Sequence, residues 1–109
     1  MKSDIPIPGH PVRGSKTGKP IMALFDLLGR NWALGVVWQL ADGPLTFRAL
    51  QLKCEGVSPT ALNTRLKELT VCGLVTRDTA GYTLTPEGKQ LYLHLKPLGL
   101  WSLDWAEGF

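Results

Sequence analysis

The chain has 109 residues, 44% of them apolar, with 12 lysines and arginines against nine aspartates and glutamates, a formal net charge of +3. This is the length of one domain, enough for a core yet small enough that pairing with a second copy would help it. No apolar run approaches the roughly eighteen residues of a membrane span, and Cys54 and Cys72 have neither C-x-x-C spacing nor a nearby histidine pair, which argues against a zinc site.

The positive charge is concentrated in two places. Residues 1–19 carry Lys2, Arg13, Lys16 and Lys19 against Asp4. Residues 46–77 carry Arg48, Lys53, Arg65, Lys67 and Arg77 against Glu55 and Glu68. The stretches between and after them are slightly acidic. Such a distribution suits a nucleic-acid-facing edge.

Residues 1–19 are rich in proline and glycine and poor in large apolar groups. They are expected to form a flexible basic tail ahead of a folded domain at 20–109. The start M-K-S-D-I-P-I-P-G has no apolar signal core, so the expected location is the cytoplasm. Pro20 opens a first helix that puts Leu24, Leu27 and Leu28 on one side and stops at Gly29. Asn31 is the expected cap of a second helix with a wide apolar face, Trp32, Val36, Val37 and Leu40, ended by Gly43-Pro44. Leu45 reads as a short strand. Thr46 then caps a third helix with Phe47, Leu50 and Leu52 as core positions. Cys54, before the Glu55-Gly56 turn, is expected to be partly exposed, and Cys72 to be a small buried hydrophobe.

Residues 56–74, G-V-S-P-T-A-L-N-T-R-L-K-E-L-T-V-C-G-L, carry the strongest helix signals in the chain. Ser58 is an N-cap, Pro59 occupies the first helical position, and Gly73 closes the segment. Leu62, Leu66 and Leu69 form an apolar stripe. Thr60, Asn63, Thr64 and Lys67 lie opposite, a polar, weakly basic face without carboxylates. That face fits a DNA major groove; it equally fits the solvated side of an ordinary amphipathic helix.

After Gly73 the period falls to two. L-V-T-R-D reads as a strand, D-T-A-G as a tight turn and Y-T-L-T as the returning strand. Thr85-Pro86 begins a last helix whose stripe, Leu91, Leu95, Leu98, Trp101 and Trp105, runs past Pro97, where a kink or a split is expected. The predicted order is helix, helix, short strand, helix, helix, two-stranded wing, C-terminal helix. This mainly α chain with a small β-hairpin has the winged helix-turn-helix arrangement.

The residues in these positions resemble the HxlR-type winged helix transcriptional regulators of the MarR-like superfamily. Gly29, Trp32, Leu40, Gly43, Pro44, Phe47 and Leu50 match that family's Gly-x-x-Trp helix and Gly-Pro-Phe approach. Ser58, Leu62, Arg65, Leu66, Leu69, Gly73, Leu74, Val75 and Arg77 match its recognition helix and first wing strand, and Tyr82, Leu84, Thr85, Gly88 and Leu91 the end of the wing. The resemblance spans roughly 21–106. It departs from the family where Lys19-Pro20 stand in place of a cysteine before the first helix. Thr46 and Ala49 flank Phe47 where a basic and an acidic residue are usual, which takes away an acidic partner of Arg65. The wing tip, T-A-G, carries no lysine or arginine.

The resemblance implies a homodimer that reads double-stranded DNA at a pseudo-palindromic site, with the Ser58–Cys72 helix in the major groove. Thr60, Asn63, Thr64 and Lys67 are the expected base-facing residues, and Ser58 and Pro59 form the helix start that can hold a phosphate. Thr46, Arg48 and Arg77 are the expected positioning contacts. Leu24, Leu28, Leu95, Leu98, Trp101 and Trp105 are expected at the dimer interface. A small-molecule effector is left open as a further partner, with no membrane association, cofactor or metal. Enzymatic readings find no support: His10 is in the tail, His94 sits on an apolar helix, and T-G-K-P at 17–20 lacks the rest of a Walker loop. The alternative is a winged helix protein-interaction or assembly module without specific DNA binding.

Overall fold

The structure, a computed structural model, describes residues 4–109. Lys2 and the rest of residues 1–3 lie outside the described residues. Five helices and one antiparallel hairpin follow one another as α1 (Pro20–Leu28), α2 (Ala33–Gln39), α3 (Phe47–Lys53), α4 (Pro59–Val71), β1 (Val75–Asp78), β2 (Gly81–Leu84) and α5 (Pro86–Glu107). A single 3-10 turn, Leu40–Asp42, prolongs α2. The expected winged helix-turn-helix order is the observed one.

The helix starts follow from their caps. Thr46, Ser58 and Thr85 each accept a hydrogen bond from the backbone N–H three residues on, at 3.0–3.1 Å. Prolines occupy the first turn of α1, α4 and α5. α4 ends in a Schellman motif: Gly73 takes φ +79°, its N–H donates to the Thr70 carbonyl, and Leu74 N–H donates to Leu69. Glycine suits that left-handed position because it has no Cβ to clash.

The core lies where α2, α3 and α4 meet the hairpin. Val36, Val37, Leu40, Leu50, Leu62, Leu69 and Val75 are fully enclosed there. The wing is anchored by a third short segment. Leu45 and Tyr82 exchange backbone hydrogen bonds at 3.0 and 2.8 Å, which gives the single-residue strand expected at Leu45.

Four local expectations are corrected. Trp32, not Asn31, is the residue before α2, at φ +68° and without a side-chain cap. Its ring packs over Gly35 and against the core, and that burial outweighs the preference for a polar cap. Leu52 is 67% exposed, because the seven-residue α3 turns Leu50 rather than Leu52 into the core. Cys54 is fully buried, since the turn to α4 folds back over it. Of the kink or split expected at Pro97, the split does not occur: α5 is one continuous helix through it. Leu93, whose carbonyl loses its partner to the proline, is exposed, so water can replace the lost bond.

Residues 4–19, expected as a flexible tail, run against α1 and the end of α4. Pro6 is buried, and its carbonyl accepts from the Cys72 thiol at 3.2 Å. Val12 and Ser15 close a small turn. Arg13 pairs with Asp4, and the Arg13 N–H donates to Asp26 at 3.3 Å. Three prolines and few large side chains make the segment a poor folder by itself, yet α1 supplies the apolar surface it lacks.

Candidate nucleic-acid interface

α3 and α4 form the helix-turn-helix. The link between them holds two positive-φ residues, Glu55 and Gly56, and is fastened by Gln51, whose amide donates to the Val57 carbonyl at 2.9 Å. This turn swings α4 across the front of the domain. Its leucine stripe, Leu62, Leu66 and Leu69, faces inward, and Thr60, Asn63, Thr64 and Lys67 are all exposed. Thirteen residues make α4 about 20 Å long.

The hydroxyls on this surface are partly committed. Ser58 and Thr46 spend their oxygens as caps. Thr64 donates to the Thr60 carbonyl at 2.9 Å, so it presents its methyl group and lone pairs. Pro59 has no N–H and Ala61 donates to Ser58, which leaves the Thr60 N–H unused by the helix. Arg48 is exposed in the first turn of α3. On the wing, the Arg77 guanidinium lies 5.1 Å above the Tyr82 ring, a cation–π contact that fixes its direction. The wing turn is closed by Asp78 accepting from the Ala80 N–H at 2.7 Å.

The one carboxylate of α4, Glu68, is turned inward and buried. It accepts from Arg30 at 2.5 Å and pairs with Arg65, whose Nε donates to the Asn31 carbonyl at 2.8 Å. Asp26 completes the cluster 3.3 Å from Arg30. Burial lowers the Arg30 pKa, but the hydrogen bonds and charges of Glu68 and Asp26 outweigh it, and the net shift is upward. Arg65 therefore has an acidic partner after all, one turn on in its own helix. The cluster was not legible in sequence as a whole: the i, i+4 spacing of Asp26 and Arg30 and the i, i+3 spacing of Arg65 and Glu68 hint at two local pairs, but nothing in the spacing joins one pair to the other.

The residues expected at a dimer interface divide. Leu28 and Leu95 pack at the edge of this chain's own core, and Leu24 lines a cavity beside α1. Leu98, Trp101 and Trp105 are exposed along the second half of α5, where Trp101 and Trp105 stack at 5.8 Å. Among the described residues, no group of three or more His, Cys, Asp or Glu side chains is placed to hold a metal. No single helix there is long and apolar enough to cross a membrane.

A helix-turn-helix followed by a hairpin, with a polar, cationic outer face on its second helix, defines a winged helix protein. The family model of the HxlR-like helix-turn-helix matches residues 27–108. The chain is 32% identical over 89 residues to the HTH-type transcriptional regulator YvaP of Bacillus subtilis strain 168, a match covering 75% of this chain and 82% of that protein. It is 28% identical over 90 residues to the HTH-type transcriptional regulator MJ0925 of Methanocaldococcus jannaschii, covering 79% and 85%. The structure of the reduced form of the transcriptional regulator YodB from B. subtilis superposes with a TM-score of 0.70 at 28% identity, over 82% of this chain and 94% of that one. The chain belongs to the HxlR-like helix-turn-helix family. It is accordingly a DNA-binding transcriptional regulator and not an enzyme.

Proposed function

We propose that the chain acts in the cytoplasm as a homodimer that sets one α4 from each copy into the major groove of a pseudo-palindromic duplex. The two helices would then lie about one DNA turn, roughly 34 Å, apart. The observation that carries this reading is the outer face of α4. Thr60, Asn63, Thr64 and Lys67 are exposed together, while Glu68, which would repel phosphates, is drawn inside by Arg30 and Arg65.

In this reading Asn63 pairs with an adenine edge, Lys67 reaches a guanine, and the Thr64 methyl meets a thymine methyl. The helix start at Ser58 and Pro59, with the Thr60 N–H, holds one phosphate. Arg48 beside the Thr46 cap, and Arg77 on the wing, hold others. Leu98, Trp101 and Trp105, exposed along α5, form the dimer face, with Leu28 and Leu95 at the edge of the core behind it; the three exposed side chains leave an apolar strip that a second copy would cover. A small-molecule effector is the remaining partner in this scheme.

Selection from a random duplex pool tests the reading. An enriched inverted repeat with half-sites about 10 base pairs apart, centre to centre, is expected. Equal, weak binding to every duplex would overturn it and favour the interaction-module alternative.

A further inference from the structure

A cavity of about 370 Å³ lies between α1, the end of α4 and the N-terminal segment. Its walls include Pro6 and Pro8 from that segment, Ile21 and Leu24 from α1, and Cys72 and Leu74 after α4. The volume falls within the range of small-molecule sites, about 300–1,000 Å³. The lining residues are all apolar apart from the Cys72 thiol, which is already bonded to the Pro6 carbonyl at 3.2 Å. No charged side chain lines it. A charged ligand would lose its hydration there without a counter-ion, whereas an apolar one would release water from apolar walls.

We propose that this cavity is the binding site for a neutral, apolar small molecule, and that its occupancy is felt at α4. Two connections reach that helix. Cys72 is the residue at its C-terminal end. On the other wall, two residues before Pro6, the Asp4 carbonyl accepts from Arg30 at 2.9 Å, and Arg30 holds Glu68 on α4. A molecule seated between residues 6–8 and α1 covers the Cys72 thiol and bears on both attachments. The effect on α4 rests on the DNA-binding reading of that helix, whereas the binding does not.

The neutral fluorophore N-phenyl-1-naphthylamine is the probe, added to the full chain without DNA. The readout is the rate at which N-ethylmaleimide alkylates Cys72, mapped by peptide mass, with the fully buried Cys54 as internal reference. Saturating probe should slow alkylation of Cys72 at least fivefold, and the anionic 8-anilinonaphthalene-1-sulfonate should protect it at least tenfold less well. Probe binding that leaves the Cys72 rate unchanged overturns the site. Equal protection by the anion overturns the ligand class. Protection that grows with the chain's own concentration, without probe, places a second copy in the cavity and also overturns the proposal. In a second arm, saturating probe should change affinity for the selected duplex at least threefold. Unchanged affinity with Cys72 protected overturns the coupling to α4. A chain that binds no duplex overturns that coupling together with the DNA-binding reading, while Cys72 protection still decides the cavity.

Discussion

Arg30 donates to Glu68 at 2.5 Å, joining the turn between α1 and α2 to the inner side of α4. Both side chains are almost fully enclosed, and Asp26 lies on the other side of the guanidinium. A buried cation that satisfies two carboxylates costs far more to remove than a surface pair does, because the partners stay behind unpaired. Arg30→Ala should therefore lower stability by about 3–5 kcal/mol, read from urea denaturation. A loss below about 1 kcal/mol, the value of an exposed pair, would show that the cluster is not structural. The raised Arg30 pKa means that its contribution is complete below the ordinary guanidinium range and fades only above it. Arg30 itself should add no slope to stability between pH 5 and 9.

Cys54 should add one at alkaline pH. Burial first, and then the neighbouring charge of Glu55, raises its pKa above 9.0. The thiol stays protonated in the folded chain where the unfolded chain has begun to lose its proton. Stability from this group is therefore intact below pH 9 and declines above it, by at most about 1.4 kcal/mol per pH unit, until the folded pKa is reached. Cys54→Ala should remove that share of the alkaline slope while lowering stability overall through the cavity it leaves. An identical slope in the variant would contradict the assignment.

Much of this fold was legible in the sequence because its signals are local. Ser58, Pro59 and Gly73 mark both ends of α4 with residues whose preferences act within one turn, and Leu62, Leu66 and Leu69 set its inward face by spacing alone. The hairpin followed from the change of period after Gly73. What escaped depends on distant partners. Trp32 sits in the left-handed region because its ring has the core to fill, so a polar cap at Asn31 is not used. Leu52 and Cys54 exchange their expected exposures because the short α3 and the turn after it decide which of them is covered. The Arg30–Glu68 pair joins residues 38 positions apart, and no periodicity links them. The outer face of α4 and its lack of carboxylates could be listed from the helical wheel, but not the pairing of Glu68 with Arg30 that holds it inside.

The first turn of α5 lies directly on the backbone after α4. A Cβ at Gly88 would stand 2.1 Å from the Leu74 carbonyl oxygen, and the Thr85 hydroxyl donates to Gly73 beside it at 2.6 Å. Neither neighbour is a flexible side chain, so Gly88→Ala must shift α5. It should cost about 1–3 kcal/mol, although alanine favours helix. Thermal unfolding checks this; an unchanged or higher midpoint would show that α5 can slide without loss.

The exposed half of α5 should hold two copies together. Trp101 stacks on Trp105, which meets Phe109 edge-on at 5.6 Å, giving a rigid aromatic ridge in solvent. Buried aromatic anchors of this kind often account for 2 kcal/mol or more of an interface, about a thirtyfold change in affinity. Trp101→Ala should weaken the dimer by that factor in analytical ultracentrifugation, with its helix content retained. A wild-type chain that sediments as a monomer at micromolar concentration would end the dimer proposal.

The central claim is that the exposed face of α4 meets DNA, and Lys67 tests it most directly. The measurement is duplex affinity against salt for the wild-type chain and Lys67→Ala, with circular dichroism to show that both are folded. The wild-type logarithm of affinity should fall linearly with the logarithm of salt, by about 0.9 for each phosphate neutralised. If Lys67 meets a phosphate, the variant should bind more weakly to all sequences, with a slope shallower by about one; if it reads a base, discrimination at that position should relax by about 1–3 kcal/mol. A wild-type affinity independent of salt, or a folded Lys67→Ala chain with unchanged affinity, slope and sequence preference, would contradict the account.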